Sequence, residues 1–106
     1  LYLGEYAIAE SLAEGVESPT VLGAKIANSL LDINGVKASF VLTKYNGKIY
    51  ISARSIDELN VQVMMERLGG GGHINMAGAQ LKDMSMEEAK AIIRETIDNM
   101  ITEGEA

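Results

Sequence analysis

The chain has 106 residues, of which 47% are hydrophobic and 23% charged, with a formal net charge of −6 and no cysteine. These values indicate one globular domain over residues 1–106 and disfavour binding to duplex nucleic acid, which requires a basic face. Disulfides and thiolate metal sites are excluded, and no apolar run reaches the roughly 20 residues of a membrane span. Because the chain begins with Leu1 rather than Met, we expect it to be a fragment of a longer protein.

The first predicted elements are a strand and a helix. Weak alternation of apolar residues predicts a strand from Glu5 to Leu12, and a turn is expected from Glu14 to Glu17. Ser18 and Pro19 together predict a helix start, since serine caps helices and proline is tolerated at the first helical position. The apolar stripe of this helix is expected to contain Leu22, Ile26, Ala27, Leu30 and Ile33. Asn34-Gly35 is expected to end the helix, because glycine readily adopts the left-handed conformation found there.

A β-hairpin is predicted next. Residues alternate cleanly from Val36 to Tyr45, and a return strand is expected from Lys48 to Ser55. Asn46-Gly47 between them is typical of a two-residue hairpin turn, which requires positive φ at both positions. This turn pairs Tyr45 with Lys48, and the same register then pairs Leu42 with Ile51, Phe40 with Ala53 and Ser39 with Arg54.

The second half of the chain predicts two helices and a short strand. One helix is expected from Asn60 to Leu68, with Val61, Met64, Met65 and Leu68 facing inward, and a strand from Ala79 to Leu81. Ser85 followed by Glu88 is a capping box for a final helix that reaches about Thr102. Its buried stripe is expected to contain Ala89, Ile92, Ile93, Ile97, Met100 and Ile101. The order β-α-β-β-α-β-α predicts a two-layer α+β domain, with helices packed on a mostly antiparallel sheet.

Four consecutive glycines stand out between Leu68 and Gly78. Gly69 and Gly70 are explained by the end of the preceding helix. Gly71 and Gly72 are harder to explain in that way, because each added glycine raises the entropy lost on folding. Successive N–H groups in a glycine turn can converge on an anion, so we favour ligand contact over pure turn geometry. No Lys-Ser or Lys-Thr follows the run, which excludes a P-loop.

Three polar residues accompany the glycines as candidate ligand contacts. His73, the only histidine, follows the run directly and can donate to a phosphate oxygen, although a lone histidine is more often structural. Arg54 suits forked contact with phosphate but also fits a solvated strand position. Ser55 either helps to hold phosphate or simply ends its strand. If Arg54, Ser55 and His73 converge, they form a polar pocket beside the glycines.

The sequence contains no convincing set of catalytic residues. No Asp and His cluster has the spacing of a metal pair, and no Ser-His-Asp set is visible. The acidic residues mostly fall on predicted helix faces, where a solvated surface is the default interpretation. By itself the chain is therefore interpreted as a binding domain rather than a catalyst, with no catalytic and no metal-ligating residue assigned.

The segment with the sequence GGGGHINMAGAQL resembles the glycine-histidine motif of the DHH-associated domain, the C-terminal accessory domain of the DHH phosphoesterases. The resemblance extends over essentially the whole chain, and the ISARS segment is similar to the strand before the family's second helix. Within the family, the chain looks most similar to the membrane-anchored cyclic dinucleotide phosphodiesterases of Gram-positive bacteria.

The resemblance implies a substrate-binding role for the glycine-histidine segment and its neighbours. Gly71, Gly72 and His73 would hold the phosphate or base of the substrate, with Gly70 beside them, and Arg54 and Ser55 would hold a phosphate. A partner DHH domain of the same parent chain would supply a manganese site. The implied activity is hydrolysis of cyclic di-AMP to a linear dinucleotide, or of a short oligonucleotide, and it would belong to the parent. This fragment alone would be inactive, lying on the cytoplasmic side of a membrane-anchored parent.

A second interpretation comes from a different class of protein. Related domains occur in alanyl-tRNA synthetases, where they contact RNA or mediate association. On this view the chain is a nucleic-acid-contacting module, or one that forms a homo-oligomer. The net charge of −6 argues against RNA, and salt dependence distinguishes the two interpretations because RNA contact weakens steeply with salt.

Overall fold

A computed structural model describes residues 1–12 and 18–104, which form three helices and five strands. In chain order the elements are β1 (Tyr6–Leu12), α1 (Pro19–Leu30), β2 (Ala38–Tyr45), β3 (Lys48–Ser55), α2 (Val61–Arg67), β4 (Gly71–His73), β5 (Met76–Lys82) and α3 (Met86–Thr102). The predicted α+β class and element order are confirmed, and β4 is an additional short strand.

The five strands form one sheet in the order β1-β2-β3-β5-β4. β1 and β2 are parallel, with α1 as the crossover that a parallel pair requires, and the other pairs are antiparallel. The predicted register of the β2–β3 hairpin is confirmed, from Tyr45 opposite Lys48 to Ser39 opposite Arg54.

The predicted helix starts are confirmed by their caps. Ser18 and Asn60 each accept a hydrogen bond from the backbone N–H three residues on, at 3.1 and 3.2 Å. Ser85 and Glu88 form the predicted capping box, in which each side chain accepts from the other residue's backbone N–H at 3.1 Å. These caps satisfy N–H groups that the first turn of a helix leaves without partners.

The predicted end of α1 is wrong by several residues. The helix stops at Leu30, and the N–H groups of residues 31–33 donate to carbonyls three residues back, which tightens the chain into successive turns. Ile33 therefore leaves the apolar stripe and is 48% exposed. Gly35, with φ of +88°, turns the chain toward β2.

The helices lie on both faces of the sheet, so three layers replace the predicted two. α2 and α3 cover the main core, whose largest fully buried side chains include Phe40, Leu42, Met64, Met65, Ile93 and Ile97. The buried stripe of α3 includes Thr96, which was not predicted to be buried. Ile101, which was predicted to be buried, is 42% exposed. α1 covers the opposite face, where the Ser39 hydroxyl donates to the Ala27 carbonyl at 2.7 Å. Both faces of β2 are consequently buried up to Thr43.

The position of α1 leaves part of its own face of the sheet uncovered. α1 packs on β2 and β3 and touches β1, whereas the same face of β5 and β4 carries mostly exposed residues. None of the helices in residues 1–12 and 18–104 combines the length and apolar character needed to cross a membrane. The turn predicted at Glu14–Glu17 lies outside the described residues.

Candidate functional site

The part of the sheet that α1 leaves uncovered, on β5, β4 and the ends of β3, is called the open face. The register places side chains in rows across β3, β5 and β4, because residues directly opposite share a face. The rows on this side of the sheet are Arg54–Met76–His73, Ser52–Gly78–Gly71, Tyr50–Gln80 and Lys48–Lys82, and α1 covers the second row at Ser52, which is buried against Gly23. Arg54 and His73 therefore lie on one face with Met76 between them.

Gly69 and Gly70 end α2, as predicted for this part of the glycine run. Gly69 has φ of +86°, and its N–H donates to the Glu66 carbonyl at 3.1 Å. The Gly70 N–H donates to the Met65 carbonyl at 2.8 Å. These two bonds form a Schellman motif, which satisfies carbonyls at the end of the helix.

The remaining glycines form an edge strand. A Cβ atom at Gly70 would lie 2.0 Å from the Gly78 carbonyl oxygen, and one at Gly72 would lie 2.4 Å from that of Met76. Gly72 also has φ of +146°, so packing against β5 and backbone conformation both require glycine there. A Cβ at Gly71 would meet only open space. Because N–H groups alternate in direction along a strand, β4 does not gather them at one point as an anion-binding turn does.

Ser55 lies on the opposite face from Arg54, because neighbouring residues of a strand alternate. The Ser55 hydroxyl donates to the Leu59 carbonyl oxygen at 2.6 Å, and the Ile74 carbonyl oxygen is a second, weaker acceptor at 3.3 Å. The same oxygen accepts from the Asn75 side-chain amide at 2.9 Å. These bonds join the loop after β3 to the β4–β5 turn, so Ser55 holds the segment that carries His73.

We expect Ser55→Ala to lower the free energy of unfolding by about 1–2 kcal/mol, because it removes a buried hydrogen-bonding group. Nucleotide affinity should stay unchanged, and urea denaturation together with a binding titration measures both. Ser29→Ala, which removes an exposed hydroxyl from α1, is the control and should keep the wild-type midpoint. A Ser55→Ala variant with normal stability and weakened binding would instead indicate direct contact with the ligand.

Arg54 is half-buried at one end of the open face. Its Nη1 donates to the carbonyl of the adjacent Ala53 at 2.8 Å. Its Nε is buried, and no atom of the described residues accepts a hydrogen bond from it. Burial lowers the pKa of the guanidinium, although an arginine so placed remains protonated at neutral pH. A buried donor without a partner costs free energy, so this Nε does not help to stabilise the fold.

His73 is the last residue of β4, and its side chain is exposed. Asn75, two residues later, belongs to the β4–β5 turn. Met76 begins β5 directly opposite His73 and is 53% exposed, although methionine is among the residue types most often buried. Sequence reasoning missed Met76 because the strand was predicted to start only at Ala79. Alternation carried back from Ala79 through Ala77 would have placed Met76 on the outer face.

The open face thus combines cationic or hydrogen-bonding groups with an exposed apolar side chain. Arg54 and His73 can donate to phosphate oxygens, and Met76 offers an apolar surface to a flat ring. Within residues 1–12 and 18–104, no group of three or more His, Asp or Glu side chains is arranged to hold a metal ion. The chemistry this face supports is recognition of a small anionic ligand.

Comparison with known proteins identifies the family. The model of the DHHA1 domain matches residues 7–103. The cyclic-di-AMP phosphodiesterase GdpP of Geobacillus thermodenitrificans is 46% identical over 106 residues, 96% of this chain and 16% of the relative. The cyclic-di-AMP phosphodiesterase PdeA of Listeria monocytogenes is 48% identical over 86 residues, 80% of this chain and 13% of the relative.

A solved structure shares the fold at lower identity. The crystal structure of an exopolyphosphatase-related protein from Bacteroides fragilis matches with a TM-score of 0.65 and 28% identity, covering 70% of this chain and 22% of that one. The chain spans 16% and 13% of the two curated relatives, so it corresponds to a small part of each. With nearly its whole length matched by the family model, the chain belongs to the DHHA1 domain family.

Proposed function

We propose that this chain is the substrate-binding accessory domain of a DHH-family phosphodiesterase that acts on cyclic di-AMP or a short linear oligonucleotide. The observation that carries the proposal is the row Arg54–Met76–His73, in which two side chains able to donate to phosphate oxygens share one face of the sheet. The names of the two curated relatives support the dinucleotide as the ligand class. A net charge of −6 does not oppose such a ligand, because a few local donors act at short range.

In this proposal the roles are divided between the chain and a partner domain. Arg54 holds a phosphate oxygen through its fork of N–H groups, His73 donates to the same phosphate, and Met76 supports a base. The DHH domain of the parent would supply manganese and the attacking water for hydrolysis of the phosphodiester. We place the parent at a membrane with this domain on its cytoplasmic side, by analogy with the membrane-anchored phosphodiesterases that the sequence resembles.

An NMR titration of the chain with cyclic di-AMP and with the linear adenine dinucleotide tests the proposal. Saturable shifts should be confined to the amides of β4, Arg54 and Met76. Amides of α3, which lies on the opposite face of the sheet, serve as the internal control. Absence of shifts at millimolar ligand would contradict binding by this chain, and tight binding of tRNA instead would favour the nucleic-acid-contacting alternative.

We expect His73→Ala to weaken dinucleotide binding about 10-fold or more, because a hydrogen bond to a charged group is lost. The free energy of unfolding should stay within about 0.5 kcal/mol of wild type, since His73 is exposed. The titration and a urea denaturation curve measure the two quantities. Unchanged affinity would remove His73 from the site, and an unfolded variant would identify it as a structural residue.

A further inference from the structure

β1 is an edge strand of the sheet, and half of its backbone groups point away from the sheet. β1 pairs with β2 on one side only. The Glu5 carbonyl accepts from the N–H groups of Lys37 and Ala38, so every second residue from Glu5 onward directs its backbone groups toward β2. The residues between them direct theirs outward. These outward residues are Tyr6, Ile8, Glu10 and Leu12.

A turn over residues 2–6 covers the first of the outward residues. Tyr2 and Tyr6 exchange two backbone hydrogen bonds, at 2.7 and 3.0 Å, which occupy both backbone groups of Tyr6. Within residues 1–12 and 18–104, no group pairs with the outward N–H and C=O groups of Ile8, Glu10 and Leu12. Unpaired edge groups of this kind are a template for another strand. We call these three residues the free edge.

The side chains of the free edge lie on the face of the sheet that carries α3. Residues in register share a face, and Ile8 is opposite Phe40, which belongs to the core beneath α2 and α3. The carboxylate of Glu10 forms an ion pair with Lys90 of α3 on that face. The charge at the middle of the free edge is therefore neutralised within the same copy.

The two ends of the free edge have complementary shapes. Leu12 projects at one end and is 63% exposed. Ile8, four residues earlier and about 13 Å away, is half-buried beside a pocket of about 200 Å³. Because four residues of extended chain separate them, Leu12 cannot reach this pocket in its own copy. The other residues that line the pocket are Leu1, Tyr2, Lys90 and Arg94.

A twofold axis through Glu10 brings the complementary ends together. Antiparallel pairing of β1 with β1 of a second copy places Glu10 opposite itself and Ile8 opposite Leu12 of the other copy. All three residues direct their backbone groups outward, so each pair exchanges two N–H···O=C bonds. Each Leu12 then lies at the pocket beside Ile8 of the other copy. Like charges opposite each other destabilise a sheet, but here each Glu10 carboxylate has its own Lys90.

We propose that β1 is the contact strand of a homodimer, in which two five-stranded sheets join edge to edge into one continuous sheet. The axis is perpendicular to the sheet, so both open faces point to the same side and stay accessible. Only three residues of each copy pair, against the roughly 20–30 residues a side of a standard interface. The dimer is therefore weak and depends on the protein concentration. The proposal is independent of the proposed function, because the open face lies away from β1.

Analytical ultracentrifugation from about 10 μM to about 1 mM tests for the dimer, and NMR at both concentrations tests its register. The average mass should rise toward twice that of the chain. Amide hydrogen exchange of Ile8, Glu10 and Leu12 should slow as the concentration rises, whereas that of Ala7 and Ala9, which bond to β2, should not change. An NOE between the methyl groups of Ile8 and Leu12 should appear at high concentration, because about 13 Å within one copy is too far for an NOE.

Three variants separate the free edge from general stickiness of the surface. Leu12→Ser removes the projecting side chain and should weaken dimerisation about 10-fold or more, without unfolding the chain because Leu12 is exposed. Glu10→Pro removes an outward N–H but no bond to β2, and should abolish the concentration-dependent protection. Ile74→Ser is the control, since it removes an exposed apolar side chain from the turn at the opposite edge of the sheet. It should dimerise like wild type.

Several results would overturn the proposal. One is a chain that stays monomeric up to about 1 mM. Another is a dimer that survives Leu12→Ser or is weakened equally by Ile74→Ser, because the contact would then lie elsewhere. Masses beyond that of a dimer would indicate that β1 pairs with β4 of another copy, a head-to-tail contact that does not close. If Glu10→Pro does not fold, Leu12→Ser and the NOE decide the question.

Discussion

Gly72→Val should prevent stable folding of the domain, with a loss of about 3 kcal/mol or more in the free energy of unfolding. The backbone at Gly72 has φ of +146°, a conformation that a β-branched residue adopts only with strain. A Cβ there would also lie 2.5 Å from the Ala77 Cα. The atoms in the way belong to the backbone of β5, so a rotamer change cannot relieve the overlap. Circular dichroism during thermal unfolding measures the loss.

Gly71→Val is the matched control, one residue earlier in the same strand. Its backbone φ is not positive, and its Cβ would meet open space, so stability should change by less than about 1 kcal/mol. The new side chain would project onto the open face and should obstruct the ligand. Equal stability losses in the two variants would contradict the assignment of different roles to these glycines. A normally stable Gly72→Val would contradict the packing of β4 against β5.

Arg54→Met should lower the affinity for the dinucleotide about 100-fold or more, and the domain should be at least as stable as wild type. We expect the variant to be stable because the replaced guanidinium has a buried Nε with no acceptor among the described residues. Methionine has similar length and leaves no such donor unpaired. A residue whose replacement stabilises the fold and removes binding is one retained for function.

Arg54→Lys separates charge from geometry at the same position. Lysine keeps the positive charge but loses the forked set of donors, so affinity should still fall about 10-fold. Isothermal titration of the three proteins with the linear dinucleotide, beside urea denaturation, gives both quantities. If Arg54→Lys binds like wild type, a point charge suffices. If Arg54→Met is strongly destabilised, the arginine has a structural role.

Local signals in the sequence were sufficient for most helix caps and for one of the two hairpins. Asn46-Gly47 specified the β2–β3 turn, and both residues have the positive φ that this turn requires. The β4–β5 turn is formed by Ile74 and Asn75, neither of which has positive φ or a typical turn sequence. That hairpin, and with it the exposed Met76, was therefore not predicted.

The roles of individual site residues depend on contacts between distant segments. The close packing of β4 on β5 decides which positions accept only glycine. A local sequence pattern contains no information about the distance between these strands. The prediction that Ser55 joins Arg54 had a signal against it, since adjacent residues in a strand face opposite sides.

Only three residues, Leu68, Gly69 and Gly70, connect α2 to β4. The Schellman bonds and the close packing of Gly70 hold this segment at both ends, despite a composition that suggests a flexible loop. A preorganised strand loses little conformational entropy when a ligand binds, so most of the contact energy appears as affinity. Association should then be a single step without a slow ordering phase, and variants of the open face should differ in dissociation rate.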